Sequence, residues 1–237
     1  MKKINLIQLK GCPIFKQLQL EEALLRENQE NYCLVNAGSS QEAIVMGISS
    51  KVEDHLDLER VKKSRVPVIK RFSGGGTVYV DSHTLFVTFI LNKDALNISP
   101  FPEPILKWGE QFYTDIFKHE NFKLKENDYV LGDKKIGGNA KYIRKDRWLL
   151  HTSFLWDYSE EKMHLLQNPA KAPDYRKKRS HEAFLTPLKN HYPSLNALLE
   201  RIQPSLKQHF DLQKIYQEYP EDFLELEHRK STQFISL

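Results

Sequence analysis

The sequence of 237 residues contains only two cysteines, Cys12 and Cys33. Two cysteines cannot build a disulfide framework or a four-ligand zinc site, so we expect free thiols in a reducing compartment. No apolar run reaches the ~18 residues that a membrane-spanning helix needs. The apolar stretch near the N-terminus is short and is interrupted by Gln8 and Lys10, which argues against a secretory signal. These absences predict a cytoplasmic protein that has no membrane partner.

The sequence also lacks a strong excess of charge of either sign. It has 35 lysines and arginines against 31 aspartates and glutamates, and the formal net charge is +4. This small excess favours anionic partners such as phosphate groups only weakly. It does not form the basic footprint of a nucleic-acid-binding protein, so no nucleic-acid partner is expected. With 40% apolar and 28% charged residues, the composition is that of an ordinary globular protein.

Strand-like and helix-like segments alternate irregularly along the chain. Short β-branched runs predict strands, and apolar residues three and four positions apart predict helices. Two predicted strands, residues 31–37 and 42–49, are expected to pair through the turn between them. The other predicted strands cover residues 66–72, 78–91 and parts of 122–157. The clearest predicted helices cover residues 18–27, 105–119 and 195–210.

This irregular order of elements has a consequence for the fold class. It favours an α+β (mixed α/β) fold, with mainly antiparallel or mixed sheets flanked by helices, over a doubly wound parallel sheet. We expect one main domain over residues 1–190. Residues 191–237 are expected to form a short helical extension at the C-terminus, because residues 195–210 give the clearest helical pattern in that region.

The first motif that carries chemistry is the glycine run SGGGTVYVD, residues 73–81, between two predicted strands. Consecutive glycines remove every Cβ from one stretch of backbone, so its N–H groups can approach a ligand and form a cradle for an anion. Arg71, just upstream, adds a charged partner for phosphate or carboxylate. The run is neither a dinucleotide fingerprint nor a Walker loop, because the required helix and the G-K-[ST] sequence are absent. The alternative is a hairpin loop that binds no ligand.

The second motif is the turn NDYVLGDKKIGGNAKY, residues 127–142. It places Lys134 and Lys135 at the start of a predicted strand, directly before the pair Gly137 and Gly138. A lysine at this position can stabilise charge that develops during phosphoryl or acyl transfer. Lys135 is the better candidate because it adjoins the glycine pair, and Lys134 is expected to face solvent. The alternative is a solvated hairpin lysine beside a β-bulge.

The two motifs together resemble those of the lipoate–protein ligase family. The first stands here as KRFSGGGTVYVD and the second as NDYVLGDKKIGGNAKY, followed by a histidine and an apolar strand in RKDRWLLHTSFLWD. Upstream, LEEALLR and AIVMGIS are similar to the family's first helix and strand pair. The resemblance covers residues ~15 to 190 and identifies residues 1–190 as a biotin/lipoate ligase-like catalytic domain.

The resemblance implies a fold shared with biotin protein ligases and class II tRNA synthetase cores. It also implies an activity in which ATP, with Mg²⁺, activates lipoic acid as lipoyl-AMP. A lysine of a lipoyl carrier domain then takes the lipoyl group. The implied carriers are the E2 subunits of 2-oxoacid dehydrogenases and the H-type proteins of glycine cleavage.

The resemblance further implies roles for the residues that match the family's motifs. Lys135 matches the catalytic lysine, and Asp128 matches a contact on the adenylate or metal side that would hold Mg²⁺. The basic stretch YRKKRSHEAFL, residues 175–185, matches the region that closes over the adenylate. The implied substrate- and adenylate-binding residues are Arg71, Ser73, Gly74, Gly75, Gly76, Thr77, Tyr79, Asp81, Asn127, Asp128, Gly137, Gly138, Asn139, Ala140, His151, Arg176 and Arg179.

The sequence departs from the family pattern at three positions and in length. Val80 replaces a common histidine, Thr84 replaces a common asparagine, and Ile48 replaces a common polar residue or arginine. These changes leave lipoate, octanoate or another acyl acid open as the substrate. Many family members carry a C-terminal accessory domain, for which the last ~45 residues are too short. A short stand-alone form, a separate accessory subunit, or a chain that retains only the transfer half-reaction are the possible explanations.

Four other functions compete with a ligase. A cysteine-dependent octanoyl or lipoyl transferase needs a thiolate near the lysine turn, and no cysteine occurs after Cys33. A biotin protein ligase has an arginine-interleaved glycine motif, which SGGGTVYVD is not. A non-catalytic protein that binds an acyl-adenylate with the same fold stays open, as does transfer from a preformed acyl donor.

Overall fold

Two β-sheets form the framework of the computed structural model, which describes residues 1–168, 172–218 and 221–237. The large sheet has eight strands in the order β11-β1-β2-β6-β10-β9-β8-β7, and the small sheet has four in the order β12-β4-β3-β5. The strands are β1 Lys3–Lys10, β2 Tyr32–Ala37, β3 Ala43–Met46, β4 Val68–Lys70, β5 Val78–Val80, β6 Thr84–Asn92, β7 Phe122–Lys125, β8 Asp128–Leu131, β9 Lys134–Ile143, β10 Arg147–Leu155, β11 Asp211–Tyr216 and β12 Gln233–Ile235.

Helices flank both sheets. The helices are α1 Ile14–Glu27, α2 Val52–His55, α3 Leu58–Ser64, α4 Pro102–Phe117, α5 Glu160–Met163, α6 His181–Phe184, α7 Leu195–His209 and α8 Asp222–Glu225, with short 3-10 turns at Asp174–Arg176 and Leu188–Asn190. Each sheet contains both parallel and antiparallel pairs of strands. The prediction of mixed sheets flanked by helices is therefore confirmed. None of the described helices has the length and apolarity to cross a membrane.

The predicted pairing of residues 31–37 with 42–49 is wrong. β2 pairs with β1 and β6 in the large sheet, whereas β3 pairs with β4 and β5 in the small sheet. The chain changes sheets at Gly38, which has a φ of 92° and whose N–H donates to the Thr84 carbonyl at 3.1 Å. A Cβ at this glycine would lie 2.5 Å from the Ser82 carbonyl oxygen. A tight crossover to a second sheet and a hairpin have the same turn residues, so sequence alone does not separate them.

The largest apolar core lies between α4 and one face of the large sheet. Trp108 and Phe112 of α4 both pack edge-on against Phe89 of β6, with ring centroids 4.8 and 4.9 Å apart. α7 covers α4 from the outside, and its Leu198 and Leu206 are fully buried in the same core. Burial of aromatic surface on this scale makes the large sheet a rigid support for whatever its other face carries.

The other face of the large sheet carries α1 and the small sheet. Ile14 and Leu18 of α1 pack with Val45 of the small sheet and Phe86 of the large one. α1 thus holds the two sheets at a fixed distance near its N-terminal end. Beyond this contact the sheets separate and leave the cleft described below.

The chain after Asn190 adds strands as well as helices. α7 forms as predicted, but β11 extends the large sheet parallel to β1, and β12 pairs antiparallel with β4 of the small sheet. Both are edge strands, and β11 is mostly exposed, so they lack the apolar run by which buried strands are recognised. The prediction of a purely helical extension over residues 191–237 is corrected accordingly.

Candidate active site

The cleft between the two sheets encloses a cavity of about 550 Å³. One wall consists of the glycine run and β5, and the opposite wall consists of β9 and β10. A third side is closed by described residues in and between α5 and α6, namely Met163, Leu166, Gln167, Pro173, Arg176, His181 and Phe184. Both glycine motifs of the sequence therefore face the same space, although they belong to different sheets.

The glycine run is held from behind by Arg71. Nη2 of this buried guanidinium donates to the carbonyl oxygens of Gly74 at 3.0 Å and Gly76 at 2.8 Å, and Nη1 donates to that of Val45 at 3.4 Å. Burial lowers the pKa of Arg71 to about 10, while nearby Glu21 opposes the shift. The side chain remains a cation at neutral pH, and its Nε has no acceptor among the described residues. Arg71 thus fixes the direction in which the loop carbonyls point.

Glycine is required at the centre of this loop for two reasons. Gly75 has a φ of 116°, which side-chain-bearing residues rarely adopt. A Cβ there would also lie 2.6 Å from Arg71 Nη2 and 3.2 Å from the Asn139 carbonyl oxygen of β9. At Gly74 and Gly76 a Cβ would meet nothing within 4 Å. The loop therefore touches β9 at its centre and is open on either side of it.

The lysine motif forms β8, the following turn and β9. The register shifts between Tyr129 and Val130, so Lys135 lies opposite Val130 while Gly137 lies opposite Tyr129. This bulge brings Lys135 to the side of the sheet that carries Asp128. Lys135, with a side chain 22% exposed, lines the cavity, whereas Lys134 is exposed and does not.

Lys135 is paired with a carboxylate whose two oxygens are both engaged. Its Nζ lies 2.9 Å from Asp128 Oδ1, and the Tyr175 hydroxyl donates to Asp128 Oδ2 at 2.8 Å. A Cβ at Gly138 would lie 3.0 Å from Lys135 Nζ, so the glycine leaves room for the ammonium group. Burial and the charge of Asp128 raise the pKa of Tyr175, which keeps its hydroxyl protonated as a donor.

The segment that carries Tyr175 lies against the lysine strand, which is β9 (Lys134–Ile143). Leu185 bridges to Lys135, and the Thr186 N–H donates to the Lys135 carbonyl at 3.0 Å. His181, within this segment, also lines the cavity. Burial, with the nearby cations Arg176 and Lys135, lowers the pKa of His181 to about 4. Its imidazole is therefore neutral at neutral pH.

Asn127, Asn139 and Lys141 at the cavity wall are connected by hydrogen bonds, together with Thr152 behind them. Asn139 Nδ2 donates to the Asn127 carbonyl at 2.9 Å, and Thr152 Oγ1 donates to Asn139 Oδ1 at 2.7 Å. Lys141 Nζ donates to Asn127 Oδ1 at 2.6 Å. Lys141 lines the cavity, and sequence reasoning did not select it. It stood within the second motif, but its direction depends on how β9 pairs.

The buried carboxylate of Glu21 lies behind His151, one of the histidines that line the cavity. His151 Nδ1 lies 2.9 and 3.0 Å from the two oxygens of Glu21, which is fully buried. Gln17 Nε2 and Thr88 Oγ1 donate to Glu21 Oε1 at 2.8 and 2.7 Å. Sequence reasoning missed Glu21. The available signal was the pair Gln17 and Glu21, one helical turn apart on the buried face of α1.

Most of the remaining cavity wall is apolar, and it is interrupted by the polar side chains of His55, Thr84, Ser153 and Gln167. Val78, Tyr79 and Phe86 all line it. The Tyr79 hydroxyl donates to Glu42, which ties this side chain to the outer edge of the small sheet. Val80, which stands where the family commonly has histidine, also lines the cavity and is buried. Further apolar lining residues are Ile14, Val45, Leu155, Met163, Leu166, Phe184 and Leu185.

Three predicted site residues lie outside the cavity wall. Ser73 is buried, and its carbonyl accepts the Ile48 N–H at 3.0 Å. Asp81 accepts the His83 N–H at 2.8 Å within a turn. Arg179 Nη1 donates to Asp133 Oδ2 at 2.8 Å, which ties its segment to the β8–β9 turn. The other predicted residues line the cavity: Arg71, Gly74, Gly75, Gly76, Thr77, Tyr79, Asn127, Asp128, Lys135, Gly137, Gly138, Asn139, Ala140, His151 and Arg176.

Neither Cys12 nor Cys33 is among the described residues that line the cavity. Both are free and buried. Burial raises the pKa of Cys12 to about 11 and also raises the pKa of Cys33. Both thiols therefore stay protonated at neutral pH and are poor nucleophiles.

Comparison with known proteins assigns this arrangement to a family. Residues 13–211 match the model of the lipoyl protein ligase A/B catalytic domain. A protein of Plasmodium falciparum (isolate 3D7) named inactive lipoate–protein ligase 2 is 31% identical over 79% of this chain and 65% of its own length. The chain spans less than two thirds of the length of the curated relatives that it matches.

Two solved structures show the same fold. A bi-partite lipoate protein ligase of Thermoplasma acidophilum, described with its E2 lipoyl domain, has a TM-score of 0.77 at 19% identity, covering 95% of this chain and 91% of that one. A lipoate-protein ligase A bound with ATP has a TM-score of 0.75 at 17% identity, covering 95% and 92%.

Proposed function

The chain belongs to the family of lipoyl protein ligase A/B catalytic domains, and from this premise we propose that it is a lipoate–protein ligase. It activates lipoic acid with ATP to give lipoyl-AMP and pyrophosphate. It then transfers the lipoyl group to a lysine of a lipoyl carrier domain. The observation that carries this proposal is that both glycine segments, Lys135 and an apolar wall line one cavity between the sheets.

The cavity has room and polar groups for an acid joined to a nucleotide. Its volume lies in the usual range for small-molecule sites. Arg71 Nε and Thr77 Oγ1 are buried and have no hydrogen-bond partner among the described residues, so both are available to a ligand. The open positions at Gly74 and Gly76 allow close approach to the loop backbone. The apolar wall suits the hydrocarbon tail of the acid.

In the first half-reaction, a carboxylate oxygen of the acid attacks the α-phosphorus of ATP. The new oxygen–phosphorus bond forms as the bond to pyrophosphate breaks. The approach of two anions is opposed by charge repulsion, which the ammonium group of Lys135 offsets. Asp128, 2.9 Å from Lys135 Nζ, holds that ammonium group in place.

In the second half-reaction, the neutral amine of the carrier lysine attacks the acyl carbon of lipoyl-AMP. A carbon–nitrogen bond forms, the bond from carbon to the phosphate oxygen breaks, and AMP leaves as the amine loses a proton. Lys135 stabilises the phosphate that departs. No thiolate takes part, because Cys12 and Cys33 are buried and their pKa values are raised.

Mg²⁺, when bound to the phosphates of ATP, would offset their charge. Asp128 is the predicted protein contact for this ion. Both of its oxygens are engaged by Lys135 and Tyr175, and the described residues contain no group of three or more histidines, cysteines and carboxylates placed to hold a metal. The residues alone therefore do not build a magnesium site, and each step above depends on the side chains named for it.

The proposed partners are lipoyl domains of E2 subunits or H-type proteins. The likeness to a bi-partite ligase described with its E2 lipoyl domain supports this proposal and also a separate accessory subunit. The two free cysteines support the cytoplasmic location that we propose.

A second candidate function is binding of a preformed acyl-adenylate, with or without transfer, and without its synthesis. The relative that is named inactive, at 31% identity, favours this candidate. The two functions share the cavity, and the second candidate lacks the first half-reaction whether or not it retains transfer.

Incubation with ATP, lipoate and an apo lipoyl domain tests the proposal, with the mass of the carrier and released pyrophosphate as readouts. A ligase lipoylates the carrier and releases pyrophosphate only when ATP and lipoate are both present. A parallel reaction with synthetic lipoyl-AMP and no ATP separates the candidates. Transfer from lipoyl-AMP without any pyrophosphate release from ATP would overturn the ligase in favour of a transferase, and failure of both reactions would leave only binding.

A further inference from the structure

Lys141 is a cation of the cavity wall that the activity described above does not use. It lies on β9 and lines the same cavity as Lys135. Its Nζ donates to Asn127 Oδ1 at 2.6 Å, and this amide oxygen is a neutral partner. Among the residues that the structure describes, no carboxylate lies within salt-bridge distance of Lys141 Nζ. Lys141 therefore differs from Lys135, which has Asp128.

The surroundings of Lys141 disfavour a lone positive charge. Burial lowers the pKa of this lysine, and the more distant charge of Asp128 only partly opposes the shift. Asp128 is bonded to Lys135 and Tyr175 and forms no ion pair with Lys141 among the described residues. A partly buried ammonium without a counter-ion is stabilised when an anion enters next to it.

The balance of charge on this wall points to the kind of anion. Lys135, Lys141 and Arg176 contribute three positive charges around the single negative charge of Asp128. An excess of about two positive charges matches a pyrophosphate group better than a single carboxylate. The Lys141–Asn127 hydrogen bond is exposed to solvent, whereas Asp128 is buried, so solvent reaches this hydrogen bond more readily than it reaches Asp128. A leaving group that must reach solvent would pass this position.

We propose that Lys141 and Asn127 form an anion subsite that binds the β- and γ-phosphates of the nucleotide, separate from Lys135. This inference rests on the proposed function, because it assumes that the cavity takes ATP. Lys141 exchanges its amide partner for phosphate oxygens, and Asn127 offers its side-chain amide N–H groups to the same anion. The subsite holds the leaving pyrophosphate and does not touch the acid.

Binding measured by titration calorimetry tests the subsite, with ATP, AMP, inorganic pyrophosphate and lipoate as separate probes. Lys141→Gln should lower the affinity for ATP and for pyrophosphate at least about tenfold, which is the loss expected for a charge-assisted hydrogen bond. It should leave AMP and lipoate unchanged. Lys134→Gln, an exposed change of the same charge on the same strand, is the matched control and should alter none of the four. Lys141→Arg should recover most of the affinity for ATP.

Each outcome separates the subsite from the proposed function. If Lys141→Gln binds ATP as tightly as the unchanged protein, or if its affinities for AMP and ATP fall equally, the subsite proposal is wrong and the ligase proposal stands. If the unchanged protein binds pyrophosphate through Lys141 but binds no lipoate, the ligase proposal fails and the subsite stands. A protein that binds neither ATP nor pyrophosphate would overturn both. Equal melting temperatures for both glutamine variants would show that the loss of affinity is not a loss of folding.

Discussion

The glycine run and the lysine strand both contain glycines at the cavity, and they use them differently. In the run, Gly75 is required by its own backbone, which has a φ of 116° and lies against Arg71. In the strand, Gly137 and Gly138 are ordinary β backbone that leaves space for a neighbour, the Phe154 ring and the Lys135 ammonium. The first segment is shaped by a buried arginine, and the second makes room for the Lys135 side chain. The same residue type thus has a conformational purpose in one place and a steric purpose in the other.

The largest effect should come from Gly75→Ala, because Gly75 is the glycine that its own backbone conformation requires. An alanine there must adopt a positive φ and avoid Arg71 Nη2, so we expect a loss of about 1–3 kcal/mol in the free energy of unfolding. Adenylate formation should fall about a hundredfold, because the loop would no longer present its backbone. Urea unfolding and pyrophosphate release measure the two effects.

Gly76→Ala is the matched control for that change, because a Cβ there meets nothing within 4 Å. Its free energy of unfolding should stay within about 0.5 kcal/mol of the unchanged protein. If both alanine variants lose the same stability, the strain at Gly75 is not the reason for its glycine.

The second effect separates the two glycines of the strand. Gly137→Ala places a Cβ 2.5 Å from the Phe154 ring, so it should cost about 1–3 kcal/mol of stability through overpacking. Gly138→Ala meets only the flexible end of Lys135, at 3.0 Å, so stability should change little while adenylate formation falls about tenfold. The reverse pattern, with Gly138→Ala unstable and fully active, would contradict the steric account. Thermal melting together with pyrophosphate release measures both.

The smallest expected effect is on the pH dependence of stability. It comes from His181, in the segment that lies against the lysine strand and not against the glycine run. The pKa of His181 is lowered from 6.5 to about 4, so the folded state resists protonation that the unfolded chain accepts. The stability that follows is present above pH 6.5 and is lost as the pH falls from 6.5 through 4. His181→Gln should reduce this loss by roughly 1 kcal/mol, a figure that allows for partial exposure.

Urea unfolding at pH 7 and at pH 4.5 measures that difference. His83→Gln replaces an exposed histidine and is the control. If the free energy of unfolding of His181→Gln depends on pH as strongly as that of the unchanged protein, His181 is not the source of this pH dependence.

The sequence predicted the strands and helices of the core, and most of the predicted site residues line the cavity. Runs such as residues 84–92 and 105–117 have strong apolar patterns, and the two motifs lie at strand ends where backbone can meet a ligand. The partners of those motifs were not predictable, because they come from tertiary contacts. Tyr175 and Glu21 reach the site through contacts between elements far apart in the chain, and the direction of Lys141 depends on how β9 pairs with its neighbours.

The errors have the same origin. β2 and β3 are adjacent in sequence, yet they join different sheets, and β11 and β12 complete sheet edges that the first part of the chain forms. Ser73 and Asp81 belong to the first motif but turn away from the cavity, because one supports Ile48 through its carbonyl and the other caps a turn. A motif specifies which residues are close in sequence, and pairing decides which of them face the ligand.

The most direct test compares the variants Lys135→Gln and Lys134→Gln by the pyrophosphate that each releases from ATP and lipoate. It asks whether the two segments act together on lipoyl-AMP. The account predicts that the Lys135 variant keeps its fold and binds lipoate, while its rate falls at least about a hundredfold. The Lys134 variant should match the unchanged protein. Full activity in Lys135→Gln, or an equal loss in both variants, would contradict the account.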